Sequence, residues 1–184
     1  MSFVKTWAAI SLFLALSLSC GMQNDLFPSD EDKRPKVEPG SSGNYVSQIS
    51  KDFTLTDVRG EKVSLYERLA RGKSVLLYFT MWCPICNSHT DYMLQKAVPK
   101  YGASTDFILV DYISSSVKNA ETEAKNNGYI GAPLSILSDH EGALIKQYDA
   151  TMAITVIIDK DKIIRFNEDF KDGVRVLKIL EAVQ

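Results

Sequence analysis

Trp82-Cys83-Pro84-Ile85-Cys86 follows closely, after Thr80-Met81, on the apolar run Ser74-Val75-Leu76-Leu77-Tyr78-Phe79. A run of that length and character reads as a buried strand, and the residues after it read as the start of a helix. Pro84 suits the first helical turn, where its missing N–H would have no intrahelical partner in any case. The first cysteine then stands at a helix N-terminus, where unpaired amides and the helix dipole stabilise a thiolate. The second lies one turn further on, within reach of a mixed disulfide formed by the first. A strand that delivers two thiols to one helix end is the layout of a redox dithiol, and it commits the chain to an α/β fold.

The flanking pattern agrees. Asp52–Leu55 and Lys62–Leu65 alternate around Arg59-Gly60 and predict a hairpin. The spacing predicts a helix from Pro84 to about Lys100, with Ile85, Met93, Leu94, Ala97 and Val98 on its apolar side. Asp106–Asp111 reads as a second buried strand, and Ser115–Asn127 as a polar surface helix that ends at Gly128. Leu134–Leu137 is a short strand, followed by a short helix around Gly142–Gln147. Ile154–Asp159 and Lys162–Phe166 form a hairpin around Lys160-Asp161, and Gly173–Val183 closes the chain as a helix. The sum is a mixed central sheet with helices on both faces and an N-terminal β-hairpin.

The first 48 residues read differently. Lys5 precedes the apolar stretch Trp7–Leu18, which has signal-peptide length and ends Leu16-Ser17-Leu18-Ser19-Cys20-Gly21. Small residues before a cysteine resemble the lipobox of bacterial lipoproteins, with Ser17 where that motif usually has Leu; the resemblance implies lipidation of Cys20. A plain secretory signal is the alternative. Gln23–Gln48 carries Pro28, Pro35, Pro39, Gly40, Gly43 and mixed charges, and reads as a flexible tether. The expected organisation is a signal peptide over 1–19, a tether over 20–48, and a folded domain over 49–184. The compartment is then extracytoplasmic, periplasm or cell surface, with the chain lipid-anchored to the membrane. Of three cysteines, Cys20 goes to lipid and Cys83 and Cys86 remain as a pair. A formal net charge of −2 with no basic stripe excludes nucleic acid as an expected partner.

From Asp52 onward the chain resembles the thioredoxin superfamily, in its TlpA- and ResA-like or AhpC/TSA-type redoxin branch. The resemblance rests on Asp52–Asp57 with Gly60, Val63–Leu65 and Gly72-Lys73, on Trp82–Cys86, on Pro133-Leu134 with Ser138-Asp139 and Gly142, and on Tyr148 with Ile158-Asp159. It implies a thioredoxin-like fold, Cys83 as attacking nucleophile, Cys86 as resolving thiol and Trp82 as a cover over the site. Three departures stand out. The family's cis-proline position falls at Ala153, and no proline follows Pro133; an ordinary trans bond is expected there. His89 stands where ResA-like redoxins often carry glutamate, and can move or tune a proton near Cys86. The strand into the motif shows no buried carboxylate.

The function expected is a membrane-tethered thiol–disulfide oxidoreductase, which reduces disulfide-containing protein substrates and is recycled by a redox partner. No cofactor is required. A metal clip is the alternative for the thiols, but only Cys83, Cys86, His89 and the remote His140 are on offer as ligands. A thiol peroxidase lacks its Pro-X-X-X-Thr-X-X-Cys motif here. A Sco-like metal-binding domain would need three residues between its cysteines and a late histidine.

Overall fold

The computed structural model describes Val37–Gln184; the expected signal peptide, Cys20 and the expected tether as far as residue 36 lie outside the described residues. Two sheets organise the domain. Strands β1 (Thr54–Thr56) and β2 (Lys62–Ser64) pair antiparallel, as the alternation around Arg59-Gly60 predicts. A short helix, α1 (Leu65–Leu69), follows β2 immediately and was not anticipated; Ser64 caps it by accepting from the Glu67 amide.

The main sheet has strand order β5-β4-β3-β6-β7. Its members are β3 (Ser74–Thr80), β4 (Thr105–Asp111), β5 (Ser135–Ser138), β6 (Ile154–Ile158) and β7 (Ile164–Asp169). β3 pairs parallel with β4 and antiparallel with β6, so the strand that leads to the cysteines is central. All seven of its residues are buried, which accounts for a run without a polar face.

The period-2 alternation of β3 divides the core. Leu76 and Tyr78 face one layer with Cys86, Met93, Ala97, Phe107, Phe170 and Leu180. Val75, Leu77 and Phe79 face the other, with Leu65, Leu69, Ile108, Leu144 and Tyr148. Full burial of each large apolar side chain contributes roughly 1.5–3 kcal/mol, so packing on both faces holds β3 in register. The same alternation puts Tyr78 on the face covered by the helix that carries the thiols.

That helix is interrupted. Helix α2 (Pro84–Tyr92) runs into a π-type turn at Met93–Ala97, and α3 (Val98–Tyr101) completes it. Pro99, within the first turn of α3, cannot donate to the carbonyl one turn back and would crowd it in a regular α-helix. The wider π turn immediately before it absorbs that mismatch. Ile85 does not share the apolar side expected of it: it is 57% exposed, whereas Met93 and Ala97 are buried. The remaining helices are α4 (Val117–Asn126), α5 (Ala143–Tyr148) and α6 (Val174–Ala182).

Three aspartates within the resemblance segments organise turns. Asp57 accepts from the amides of Arg59 and Glu61 and pairs with the Arg59 guanidinium. Asp139 accepts from the Leu144 and Ile145 amides and fixes the start of α5. Asp159 accepts from Asp161 and Ile163 in the β6–β7 turn and pairs with Arg165. These acids hold loops in shape.

One boundary needs correction. Part of the stretch expected as tether is folded onto the domain: the Ser47 amide donates to the Ile164 carbonyl, the Ile164 amide to Gln48, and Ile49 bridges Ile163. The Asn167 side chain also donates to the Asn44 carbonyl. The compact unit accordingly begins at Val37, not at residue 49. Polar composition misled here because edge-strand pairing is made by backbone groups, which are the same in every sequence.

Gly173, before α6, has φ +75°, and a Cβ there would lie 2.7 Å from Tyr92 Cε1 and 3.0 Å from the Phe170 ring. A left-handed Ala costs about 1–2 kcal/mol and the forced repacking about 1–3 kcal/mol. Gly173→Ala is expected to lower the urea midpoint accordingly; an unchanged midpoint would show that these rings yield freely.

Candidate active site

Cys83 caps α2 with an extended backbone (φ −78°, ψ 160°), and its Sγ accepts from the Cys86 amide at 3.3 Å. The two sulfurs are 3.0 Å apart and unbonded, about 1 Å beyond disulfide length. Cys83 is half-buried and Cys86 fully buried. An incoming disulfide therefore meets Cys83 first, while Cys86 is reached only through it. The structure brings the two predicted thiols together, with Cys83 the more accessible of the pair.

Their protonation differs for physical reasons. Partial burial works to raise the Cys83 pKa, but hydrogen bonds from the Cys86 thiol and from the Cys86 and Ile85 amides outweigh it and hold it below the ordinary thiol value. Burial pushes the Cys86 thiol up, and its hydrogen bond to Cys83 pushes the same way. Of the two thiols, Cys83 is therefore the more readily ionised and Cys86 the one that holds its proton. Iodoacetamide alkylation of Cys83 should titrate below a free thiol, and Cys86→Ala, which removes a donor to the thiolate, should move that profile to higher pH. Coincident profiles in the two proteins would contradict this assignment.

Trp82 is only 9% exposed, and its ring is directed into the core. Its indole N–H donates to Asp111 Oδ2 at 2.8 Å, and it stacks on Tyr129 with centroids 6.3 Å apart. Its backbone is left-handed, φ 59°, with the amide donating to Thr80 Oγ1. Trp82 is thus anchored through both ring and backbone directly before Cys83. Asp111, missed from sequence, ends β4, is fully buried, and also accepts from the Ile113 and Ser114 amides.

Across from the thiols, Ala153 occupies the expected loop position with φ 66°, its amide donating to the Phe79 carbonyl. No cis peptide bond occurs among the described residues. The residue before it, Met152, places its Sδ 3.6 Å from Cys83 Sγ. Two left-handed non-glycine residues, Trp82 and Ala153, therefore flank the pair, a conformation retained only where surrounding structure enforces it. His89 does not contact Cys83; its Nδ1 is 2.9 Å from the Tyr78 hydroxyl. His140 is engaged with Ser138. Among the described residues no group of three or more His, Cys, Asp or Glu side chains could hold a metal ion.

The AhpC/TSA family model matches residues 46–167. The chain belongs to the AhpC/TSA family. Solved structures agree on its thioredoxin-like fold. A proposed protein disulfide isomerase from Bacteroides thetaiotaomicron aligns with TM-score 0.63 and 22% identity, over 76% of this chain and 89% of that one. A proposed thiol:disulfide interchange protein DsbE from Chlorobium tepidum gives TM-score 0.63 and 20% identity, over 73% and 94%. The thioredoxin domain of a thiol-disulfide oxidoreductase from Bacteroides vulgatus gives 0.60 and 16%, over 76% and 99%. None of the curated proteins matches the chain. This AhpC/TSA member thus carries its dithiol on a fold shared with structures named for thiol–disulfide exchange.

Proposed function

We propose that this chain is an extracytoplasmic, membrane-tethered thiol–disulfide oxidoreductase that reduces disulfides in partner proteins. The observation that carries the reading is the dithiol itself, a half-exposed, low-pKa Cys83 with Sγ 3.0 Å from a buried, high-pKa Cys86. Cys83 thiolate attacks a partner disulfide, expelling one partner sulfur as thiolate. Cys86 then attacks Cys83 Sγ, frees the second partner sulfur and leaves a Cys83–Cys86 disulfide. Two electrons pass to the partner, and another dithiol must return them. Cys83, Cys86, His89 and Trp82 are the residues assigned to this site.

The rim supports a polypeptide substrate. Ile85 and Met152 are exposed beside the thiols, and Met81 and Ile113 line a cleft against Trp82. An apolar rim around the attacking sulfur suits a partner disulfide set among apolar side chains. The test is dithiothreitol-driven insulin reduction: the purified protein should accelerate precipitation, and inactivity there together with rapid peroxide consumption would favour a thiol peroxidase.

The tether to the membrane is supported by the lipobox-like Leu16–Cys20 and the polar stretch after it. Among the described residues no helix is long and apolar enough to cross a membrane. Mass spectrometry of the mature N-terminus should find a diacylglyceryl-modified Cys20; an unmodified terminus at another residue would make the leader a plain secretory signal.

A further inference from the structure

The resolving thiol poses a problem that its surroundings answer. Cys86 is fully buried and must lose a proton before it can attack. Tyr78 and Cys86 pack in the same buried cluster, where the phenol favours the Cys86 thiolate. The Tyr78 hydroxyl lies 2.9 Å from His89 Nδ1. Tyr78 has no exposure of its own, whereas His89 is only half-buried, so the three groups form a line from the core towards the surface.

We propose that Tyr78 and His89 carry the proton from the Cys86 thiol when it resolves the mixed disulfide, in the place of a buried carboxylate. This deepens the dithiol reading above and rests on it. As Cys86 S–H gives its proton to Tyr78 Oη, the Tyr78 hydroxyl gives its own to His89 Nδ1. The result is a Cys86 thiolate, a neutral phenol that donates to it, and an imidazolium. The thiolate then attacks Cys83 Sγ, the partner sulfur leaves as thiolate, and His89 releases its proton to solvent.

The surroundings of each group fit that part. Burial, and then the negative charge of the Cys86 sulfur, hold the Tyr78 pKa far above its ordinary value, so the phenol passes a proton only while receiving one. Burial lowers the His89 pKa, so at neutral pH the ring is uncharged and its nitrogen can accept. Opposing that, Asp169 on β7 and a hydrogen bond to the Lys171 backbone favour the imidazolium once formed. The ring stacks on Phe170 with centroids 4.5 Å apart, and Tyr78 meets Phe170 edge-on at 5.7 Å. Asp169, Tyr78, Cys86 and Cys83 are the titratable groups that act on His89 and its hydrogen-bond partner.

The experiment uses the full chain, reduced, mixed with dithiobis-nitrobenzoate in a stopped-flow instrument. Cys83 attack releases the first coloured thiolate, and Cys86 attack on the resulting mixed disulfide releases the second. In the wild type the second phase should rise with pH through the His89 titration, below the ordinary imidazole value, and then flatten. His89→Gln keeps the phenol beside Cys86 but removes the acceptor. It should slow the second phase about a hundredfold at neutral pH and abolish the flattening, with the first phase unchanged. Tyr78→Phe should match it. Loss in Tyr78→Phe alone, with His89→Gln like wild type, would reduce Tyr78 to a simple donor and overturn the relay. Equal slowing of both phases with an unaltered pH profile would also overturn it, as a packing effect. Absence of the first phase in the wild type would instead refute the dithiol reading itself.

Discussion

Cys83→Ala should bring insulin reduction down to the rate of dithiothreitol alone. Among the described residues only Cys86 could replace the lost nucleophile, and it is fully buried with a raised pKa. Nor could it close a disulfide without Cys83. The complementary variant should behave differently. Cys86→Ala keeps an accessible Cys83 capping α2 with amides directed at its sulfur, so the first attack survives while turnover stops. Residual turnover in Cys83→Ala would mean that the chemistry lies elsewhere. Equal reactivity of the two single variants towards a small disulfide would mean that burial does not order the two thiols.

The second large effect is on stability. Asp111 has no exposure and accepts from three donors: the Trp82 indole at 2.8 Å, the Ile113 amide at 3.1 Å and the Ser114 amide at 3.0 Å. Asp111→Ala leaves the buried Trp82 indole and Ser114 amide, and the part-buried Ile113 amide, without this acceptor, and each buried loss costs about 1–3 kcal/mol. The expected destabilisation is about 3–5 kcal/mol, allowing for partial rehydration of the loop. Asp111→Asn keeps one acceptor oxygen and should cost less. The damage should also reach the thiols, because Trp82 is held in a left-handed conformation directly before Cys83. Faster alkylation of Cys86 in Asp111→Asn, with a lowered urea midpoint, would show that link. An unchanged midpoint in Asp111→Ala would contradict it.

Much of this architecture was written locally in the chain. The apolar run Ser74–Phe79 could only be a central strand, and the Pro84 that follows starts a helix where a missing N–H costs nothing. Both hairpins and the closing helix followed from alternation and turn residues. The features that were not legible depend on groups distant in sequence or indifferent to side-chain type. Residues 40–48 read as linker because few of their side chains are apolar, yet the backbone of Ser47 and Gln48 pairs with Ile164. The π turn at Met93–Ala97 answers to Pro99, whose effect reaches one turn back. Ile85 fitted the apolar periodicity but faces out, beside the attacking sulfur.

The site divides along the same line. Cys83, Cys86 and His89 were visible from residue type and spacing. Tyr78 was hidden inside a run that looked purely structural, although the alternation that puts it with Leu76 already points it at the helix face bearing Cys86 and His89. Asp111 is 29 residues from Trp82 and meets it only because β3 and β4 lie side by side in parallel. Met152 reaches Cys83 from 69 residues away, across the loop that a cis-proline occupies in relatives. In each case the partner comes from sheet topology, which residue spacing does not encode.

The central claim is that Cys83 attacks a partner disulfide and Cys86 resolves it. Trapping the intermediate tests this most directly. Cys86→Ala, incubated with a disulfide-bonded peptide and quenched in acid, should accumulate a mixed disulfide that peptide mapping places at Cys83, while the wild type yields reduced peptide and a Cys83–Cys86 bond. A mixed disulfide that fails to form, or that maps to a different residue, would contradict the account.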